Sequence, residues 1–378
     1  MSVLTQELLR RLTETPGGPG DEGAVRDLIA RAVHPHVDEL RIDRLGNMIA
    51  LKKGSGKSDL RVVIAAHMDE VVLFVTQIDK NGMLNVASSG GVNARTLLGK
   101  AVQVGPDRLP GVISIRPPHM NKSSDDNTQV PLVTDLVVDI GAAAEKAAKG
   151  KVKIGQRIAF QTSFRFLGVD NEYEPKAPVP ARGRISAKAL DDRIGCAALI
   201  ELLGGEVLPF DLYGVFTVQE ELGVRGALAA GFHLKPDVVI ILEGTVCADL
   251  PGPPGEKQYP TTRMGDGPAL TQRDRSYVVH PLLLQHLLRT AQASDIPYQF
   301  KHPNIGGTDA RGFTLLHGTP AGIVSTPCRY IHGPVAVADL EDFHNVVVLV
   351  RASLPGLEDI FVTTRLPDRS TTLPKDKS

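Results

Sequence analysis

The chain of 378 residues contains no tryptophan, and aromatic residues make up only 4% of it. Enzymes that cleave glycans usually hold sugars against aromatic faces, so this composition argues against a carbohydrate cleft. Cysteine is also scarce, with only Cys196, Cys247 and Cys328. An odd number of cysteines without metal-ligand spacing predicts reduced, buried thiols instead of a disulfide framework. A catalytic thiol or a disulfide is the alternative, because all three lie near the motifs described below.

Excess charge and long apolar runs are absent as well. The chain carries 42 Lys and Arg against 43 Asp and Glu, for a net charge of −1, and its basic residues are dispersed. This balance predicts neither a nucleic-acid partner nor a membrane partner. No run reaches the length of a transmembrane helix, and the opening "MSVLTQELLRRLTETPGG" has the pattern of an amphipathic helix, not of a signal peptide. We therefore expect a cytoplasmic protein.

Two adjacent acids, Glu220 and Glu221, follow an apolar stretch from Leu212 to Val218 that is typical of a buried β-strand. Gly223 and Gly226 then indicate a turn into a helix. Side by side at the end of a strand, two carboxylates suggest a catalytic base beside a metal ligand. A solvated helix start, favoured by the helix dipole, is the ordinary interpretation of the same pair.

Other segments place similar residues in similar positions. "LRVVIAAHMDE" ends on His67 and Asp69, "DVVIILEG" ends on Glu243, and "AGIVST" leads through "PCRYIHGP" to His332. Ligands of open α/β sheets bind at the carboxyl ends of the strands, where these residues are predicted to meet. Taken singly, each histidine has an ordinary interpretation as a core or rim residue. Together, imidazoles and carboxylates form a ligand set that suits zinc or cobalt.

A further contribution comes from "ALDDRIGCAALIELL", which places Asp191 and Asp192 at the start of an apolar helix. Taken alone, this pair predicts an N-cap. In "NIGGTDARGF", Thr308 and Asp309 follow a glycine-rich turn that lacks the lysine of a phosphate-binding loop. That segment alone predicts only a turn.

The motifs "AAHMDE", "AKALDDRIGC", "TVQEELGVRGA", "GGTDA" and "STPCRYIHGP" occur in this order, and together they resemble the glutamyl aminopeptidase and TET aminopeptidase family of dinuclear metallopeptidases. The resemblance extends from about residue 1 to about residue 355. It implies a mixed-sheet, three-layer α/β/α catalytic domain of the zinc-peptidase type, with an inserted small β-barrel domain that is PDZ-like. It also implies two divalent metal ions per subunit, zinc or cobalt, and peptide substrates with a free N-terminus.

The resemblance further implies a role for each site residue. Asp191 would bridge two metals, the first also held by His67 and Glu243 and the second by Glu221 and His332. These are five metal ligands in all.

Three more residues have implied roles next to the metals. Asp69 would orient the His67 ring, and Asp192 would be joined to Asp191 by a cis peptide bond. Glu220 would be the general base that takes a proton from a water bridging the metals and returns it to the leaving amine. From the residues alone, Glu220 and Glu221 could exchange these roles, and only the resemblance selects their order.

The sequence departs from the family pattern at two positions. Relatives carry either Asp or Glu at the position of Glu243, and the longer side chain could change how one metal is held. Relatives also commonly carry a Glu where this chain has Ala336, so a contact made by that acid is expected to be missing.

A change of pattern along the chain predicts the domain organisation. Residues 72–180 have short strands and turns and are predicted to form an inserted β-rich oligomerisation domain. Residues 1–71 and 181–360 are predicted to form a discontinuous catalytic domain, and residues 361–378 a disordered tail. The segment "RPPHMNKSSDDNTQVPL" reads as a loop. The resemblance implies a homo-oligomer, commonly a hollow dodecamer and possibly one built from dimers.

The function predicted from these observations is metal-dependent removal of N-terminal residues from peptides. A glycoside hydrolase is the alternative enzyme class, because paired carboxylates also serve there and some relatives carry a cellulase label. Another amide hydrolase and a noncatalytic assembly or binding protein on the same fold are the remaining alternatives. Substrate preference could not be predicted, and Arg263, Arg273 and Arg275 could not be assigned to a pocket.

Overall fold

A computed structural model describes residues 3–115, 130–168, 172–247, 249–250, 262–303 and 305–361. Most of the loop predicted in "RPPHMNKSSDDNTQVPL" and all of the predicted tail after Phe361 lie outside these ranges. None of the helices in these ranges combines the length and apolar character needed to cross a bilayer.

A mixed β-sheet forms the centre of the larger part of the fold. The strands of this sheet are β1 (Glu39–Ile42), β2 (Met48–Lys52), β3 (Arg61–His67), β10 (Arg165–Leu167), β11 (Arg184–Ala187), β12 (Asp211–Thr217), β13 (Val238–Val246), β14 (Ala269–Leu270), β15 (Gln299–Phe300), β16 (Ala321–Arg329) and β17 (Ala336–Asp339). Nine of these 11 strands in the described residues follow the order β1-β2-β12-β3-β13-β16-β17-β11-β10, with β14 and β15 attached beside β16.

The middle of this sheet is parallel, because β12, β3, β13 and β16 all run in the same direction. These strands are apolar on both faces. In β3, Val62 and Ile64 pack into one core while Val63 and Ala65 pack into another on the opposite face. Such double burial is what a central parallel strand requires, since helices cover both of its faces.

Helices cover the two faces unequally. The face with Val62 packs against α1 (Gln6–Glu14), α2 (Gly23–Val33), α4 (Leu190–Leu203), α6 (Pro281–Ala293), α8 (Leu340–Ser353) and α9 (Leu357–Phe361). The face with Val63 packs against α5 (Arg225–Leu234) and α7 (Ala310–His317). This arrangement confirms the predicted three-layer α/β/α class.

A closed antiparallel barrel forms the second part of the fold, with the strand order β4-β5-β8-β7-β6-β9. Its interior is filled by aliphatic side chains and Phe160, which form a separate core. A short helix, α3 (Glu145–Lys149), lies between two of the barrel strands. The barrel strands are β4 (Val72–Ile78), β5 (Leu84–Ser89), β6 (Ala101–Val104), β7 (Leu109–Ser114), β8 (Val137–Asp139) and β9 (Arg157–Phe160).

The barrel strands lie between residues 72 and 160, and β10 already pairs with β11 of the large sheet. The inserted barrel was therefore predicted correctly as a fold. Its use in oligomerisation and the exact division at residues 71 and 181 stay predictions. Phe361, the first residue of the predicted tail, is buried and ends α9.

The structure corrects the predicted position of Glu243. The sequence placed this residue at the end of its strand, but β13 continues to Val246. The reason is that β16 still pairs with β13 from Glu243 to Val246, whereas pairing with β3 stops at Ile241. Glu243 therefore lies inside β13, beyond the last residue of β13 that pairs with β3. His67 is the last residue of that neighbouring strand.

Candidate metal centre

The carboxyl ends of the four parallel strands bring together the residues that the sequence singled out. His67 is the last residue of β3 and is paired with Thr217, the last residue of β12. Glu220 and Glu221 form the turn that follows β12. His332 follows β16 in a turn in which its own φ is 59°, in the left-handed region.

Asp191 reaches the same place from the start of α4. The backbone of Asp191 lies against β13, so that a Cβ added to Gly244 would be 3.1 Å from the Asp191 Cα atom. Gly244 therefore permits the close approach of α4 and β13 that brings Asp191 beside Glu243. Without it, one of the two backbones would have to move.

The two carboxylate oxygens of Asp191 face two different imidazoles. Its Oδ1 atom is 3.2 Å from His67 Nε2, and its Oδ2 atom is 3.2 Å from His332 Nε2. Each imidazole has a second carboxylate beside the same nitrogen. Glu243 Oε2 is 3.7 Å from His67 Nε2, and Glu221 Oε1 is 3.3 Å from His332 Nε2.

These separations match the donor spacing of a metal site. Ligands at about 2.0–2.1 Å from a tetrahedral zinc ion lie roughly 3.3–3.4 Å from one another. The four distances bracket that value and fall into two groups that share Asp191. Nitrogen and carboxylate donors are also the set that zinc and cobalt accept. The residues present therefore fit two divalent ions.

Asp192 lies close enough to His67 and Glu243 to form an alternative ligand group with them. Both of its oxygens are already used, however. Its Oδ1 accepts a hydrogen bond from the Gly195 N–H at 3.0 Å, and its Oδ2 accepts one from the His67 N–H at 3.2 Å. Asp192 thus acts as a helix cap and holds the backbone of His67, and we prefer Asp191 as the ligand. The peptide bond between Asp191 and Asp192 is cis, as predicted.

Asp69 contacts three parts of the site. Its Oδ1 atom is 3.5 Å from His67 Nδ1, and the Asp69 carbonyl oxygen is 3.1 Å from the same nitrogen. Its carboxylate also accepts hydrogen bonds from the backbone N–H groups of Glu220, at 3.0 Å, and Glu221, at 3.1 Å. The sequence predicted the contact with His67 but not the contact with the turn. Asp69 is fully buried, and its contacts fix the His67 ring and the turn at Glu220 and Glu221 relative to each other.

The electrostatics of the cluster are dominated by buried carboxylates. Burial and neighbouring carboxylates raise the pKa of Glu243 well above its ordinary value and raise the pKa of Glu221 to about 7. Burial alone would lower the pKa of His332, but Asp191 and Glu221 raise it to about 9. Burial likewise opposes ionisation of Asp191, yet hydrogen bonds from both imidazoles hold its pKa below the ordinary range. So many acids around two imidazoles form a site that favours cations.

Glu220 is placed differently from Glu221. Its donor atoms lie within 4.8 Å of those of His67 and Glu221, so it is part of the same cluster. Its carboxylate makes no hydrogen bond or ion pair with any described residue, whereas Glu221 faces His332. Burial, followed by nearby carboxylates including Asp309, raises the pKa of Glu220 well above its usual range. The order in which Glu221 binds metal and Glu220 stays free remains a prediction.

A cavity of about 580 Å³ opens beside the cluster and is lined by His67, Asp191, Glu220, Glu221, Glu243 and His332. Its size is typical of sites for small ligands. The segment from Ile305 to Thr308 forms another part of its lining, together with Arg275, Lys301 and Arg311. Asp309, whose carboxylate accepts a hydrogen bond from Thr217, ties this segment to the end of β12.

Sequence reasoning missed Lys301 and left Arg275 unassigned. Neither belongs to a motif, and they reach the cavity only through the turns around β14 and β15. The glycine-rich turn, by contrast, could be found in the sequence, because Gly306, Gly307 and Asp309 are almost consecutive in the chain.

Comparison with known proteins gives the family. Residues 46–349 match the family model described as M42 glutamyl aminopeptidase. Among curated proteins, the lysyl aminopeptidase of Pyrococcus furiosus is 33% identical, and the match covers 94% of this chain and 99% of that protein.

Solved structures agree with this match. A TET aminopeptidase from the marine sediment archaeon Thaumarchaeota archaeon SCGC AB-539-E09 has a TM-score of 0.86 and 32% identity, covering 94% of this chain and 97% of that one. The TET1 peptidase of Pyrococcus horikoshii has a TM-score of 0.77 and 30% identity, with coverages of 92% and 98%. A Thermotoga maritima protein solved under the name endoglucanase has a TM-score of 0.74 and 36% identity, with coverages of 94% and 99%. The chain belongs to the M42 glutamyl aminopeptidase family.

Proposed function

We propose that this protein is a dinuclear metallo-aminopeptidase that removes residues from the free N-terminus of peptides. The observation that carries the proposal is the position of Asp191, whose two oxygens each face one imidazole at 3.2 Å. A carboxylate placed in this way is suited to bridge two ions. The family match supports a peptidase, and the aminopeptidase names of its relatives support the attack at the N-terminus.

The residues would hold the two ions in the groups that their distances define. His67 and Glu243 would complete one site and Glu221 and His332 the other, with Asp191 shared. When bound, two divalent ions of this kind polarise a carbonyl oxygen and make water a better nucleophile near neutral pH. Zinc and cobalt both suit the donor set.

Glu220 would supply the proton transfers. The Glu220 carboxylate has no partner among the described residues, and Glu220 lines the cavity together with the ligand cluster and the glycine-rich turn. It would take a proton from the attacking water as the new C–O bond forms. It would then give that proton to the amine as the C–N bond breaks, leaving a carboxylic acid and a free amine as products. Such general acid–base catalysis contributes roughly 10² to 10⁴ in rate.

Asp69 would keep this arrangement rigid. By accepting hydrogen bonds from the Glu220 and Glu221 N–H groups while lying beside His67 Nδ1, it fixes the free base relative to a ligand of each ion. A carboxylate behind a ligating imidazole also selects the tautomer whose other nitrogen faces the metal.

The protein would act as a homo-oligomer, and a dodecamer is the assembly proposed here. The related PhTET1-12s structure holds a dodecamer, and the TET1 peptidase of P. horikoshii assembles into a tetrahedron or a large octahedral shell. The barrel is the part of the fold that would make the contacts between subunits. A cytoplasmic location stays a prediction from the sequence.

The test is hydrolysis of aminoacyl chromogenic amides and short peptides by the protein with added zinc or cobalt, with chelator, and as the Glu220→Gln variant. Glu206→Gln, which changes an exposed glutamate, is the matched control. We expect metal-dependent release from unblocked substrates only, with roughly a 10² to 10⁴-fold loss of kcat in Glu220→Gln and no loss in the control.

Two results would contradict the proposal. One is equal release from N-acetylated substrates, which would remove the requirement for a free N-terminus. The other is an absence of peptide hydrolysis by metal-loaded protein. The same preparations assayed on a soluble β-glucan test the alternative of a glycoside hydrolase, for which we expect no reducing sugar to appear.

A further inference from the structure

The turn that carries Glu220 is held by carboxylates from two other segments of the chain. Asp69 accepts hydrogen bonds from the backbone N–H groups of Glu220 and Glu221. The Gln219 N–H, one residue earlier, donates to Glu22 Oε1 at 3.2 Å. Glu22 therefore holds the residue immediately before the proposed general base.

Gln219 has a backbone conformation that needs such support. Its φ is 55° and its ψ is 36°, in the left-handed region. Residues with a Cβ atom rarely adopt this conformation, and it persists only where the surrounding structure stabilises it. Because the chain changes direction here between β12 and the turn that follows, the position of Glu220 depends on the dihedral angles of Gln219.

Glu22 lies at the N-terminus of α2 but does not cap this helix. Its position just before Gly23 is that of an N-cap residue, yet its side chain makes no capping hydrogen bond. Instead, Oε1 also accepts a hydrogen bond from the Gly20 N–H, at 2.8 Å. Only 3% of its surface is exposed, and it makes no ion pair within the described ranges. A buried carboxylate without a cation is costly, and burial together with the nearby Asp69 raises the pKa of Glu22.

The loop that leads to Glu22 is itself fixed to both parts of the fold. The Gly17 N–H donates to Glu70 Oε1 at 3.2 Å, and the Glu70 N–H donates to the Gly17 carbonyl oxygen at 3.0 Å. The Pro19 carbonyl oxygen accepts a hydrogen bond from Arg157 Nη2 of β9 at 2.9 Å. Glu22 therefore reaches the turn after β12 from an anchored segment.

We propose that Glu22 is a positioning residue for the general base, which it holds through its hydrogen bond with the Gln219 N–H. This inference rests on the proposed function, since it takes Glu220 as the base. With the bond in place, Gln219 keeps its left-handed conformation and the Glu220 carboxylate stays beside the ligand cluster. Without the bond, the turn can relax at Gln219, and a displacement of about 1 Å at a catalytic group can cost roughly 100-fold in rate.

The experiment measures kcat, KM and metal content for two substitutions of Glu22. Glu22→Met keeps the length of the side chain and removes both acceptor oxygens, so we expect kcat to fall about 10- to 100-fold. KM should change less than about 3-fold, because the base acts in the transition state and not in substrate binding. Both ions should stay bound, since no proposed ligand is altered. Glu22→Gln retains an acceptor oxygen and should recover most of kcat.

Two further variants separate positioning from stability. Val25→Ala removes buried methyl groups from the same end of α2, so it lowers stability but should leave kcat within about 3-fold of the parent. The double variant with Glu22→Met and Glu220→Gln tests the route of the effect. Once the general base is absent, Glu22→Met should lower kcat by no more than about 2-fold further, because residues that act through each other are not additive.

The inference is overturned if Glu22→Met keeps parental kcat, or if Glu22→Gln or Val25→Ala loses as much kcat as Glu22→Met. An undiminished effect of Glu22→Met in the Glu220→Gln background would overturn it as well. All of these results leave the aminopeptidase proposal intact, because the parent still cleaves its substrates.

If the parent cleaves no peptide, the proposed function fails, and amide hydrogen exchange at residues 219–222 then tests the hold on the turn alone. Faster exchange in Glu22→Met than in the parent and Glu22→Gln would support it. Equal exchange in all three proteins would overturn it.

Discussion

Two groups of buried charged side chains meet at the segment from His67 to Glu70. His67 and Asp69 belong to the metal-centre cluster. Glu70 belongs to a second group with Lys188 and Arg193, in which all three side chains are no more than 2% exposed. The two groups have similar burial, lie next to each other and share one stretch of backbone, yet their charges are arranged in opposite ways.

The second group is internally satisfied. Lys188 Nζ is 2.5 Å from Glu70 Oε1, and the Arg193 guanidinium is 3.5 Å from the same oxygen. Arg193 also donates to the carbonyl oxygens of Met68 at 2.7 Å and Thr15 at 3.0 Å. Both cations have oxygen acceptors around them and both lie beside the Glu70 carboxylate. The group joins the N-terminal segment to β3 and α4.

The metal-centre cluster is unsatisfied by comparison, because its carboxylates outnumber its imidazoles and the Glu220 carboxylate has no partner in the described part of the chain. Buried charges are normally paired or coordinate metals. The difference teaches that burial of ionisable residues does not by itself mark a functional site. A set of buried carboxylates with too few partners beside a cavity does, and the predictions below test this distinction.

The largest effect is expected from Asp191→Asn, which removes the carboxylate that faces both imidazoles. Loss of the metal contribution to charge stabilisation, about 4 kcal/mol, corresponds to a decrease of roughly 10³-fold in kcat/KM. Metal content measured by mass spectrometry should fall from two ions per chain to one or fewer. Asp59→Asn, at an exposed position, is the control. A variant that keeps two ions and parental activity would show that Asp191 is not the bridge.

The satisfied group of Glu70, Lys188 and Arg193 predicts the opposite phenotype. Glu70→Gln leaves Lys188 and Arg193 buried without a counter-charge, and breaking a buried pair in this way typically costs about 3–5 kcal/mol. We expect that loss in the free energy of unfolding measured with denaturant, with two ions still bound per folded chain. Glu145→Gln, which breaks the exposed pair with Lys149, should cost no more than roughly 0.5 kcal/mol. Equal losses in the two variants would refute a structural role for Glu70.

The same group predicts a dependence of stability on pH. Burial lowers the pKa of Lys188 from 10.5 to about 8, although Glu70 opposes this shift. Between these values the unfolded chain keeps a proton that the folded protein has released, so the free energy of unfolding should rise with pH. The increase reaches up to about 3 kcal/mol by pH 10.5. Unfolding curves of the parent and of Lys188→Met give the effect by difference, and parallel pH profiles would exclude it.

The sequence predicted much of the fold and the ligand cluster, because strand ends and motif residues are local features. The apolar run "VVIAA" before His67 and the acids after "LYGVFTV" place His67 and Glu220 at one sheet edge without knowledge of the rest. The extent of β13 could not be predicted, since it depends on how long β16 remains paired with it. The partners of Glu70 and the position of Lys301 were also inaccessible. Both depend on contacts between segments more than 20 residues apart, and no local pattern records such contacts.

The smallest of these effects, and the sharpest comparison, is expected at Asp69, the immediate neighbour of Glu70. Asp69→Asn keeps the shape of the side chain but replaces one acceptor of the Glu220 and Glu221 N–H groups with a donor. We expect a loss of about 10- to 100-fold in metal affinity or in kcat/KM, the usual effect of removing a carboxylate behind a ligating imidazole. Unfolding free energy of the metal-free protein should change less than in Glu70→Gln. If the two neighbouring substitutions instead gave the same loss of stability and the same metal affinity, the division into a satisfied and an unsatisfied group would have no basis.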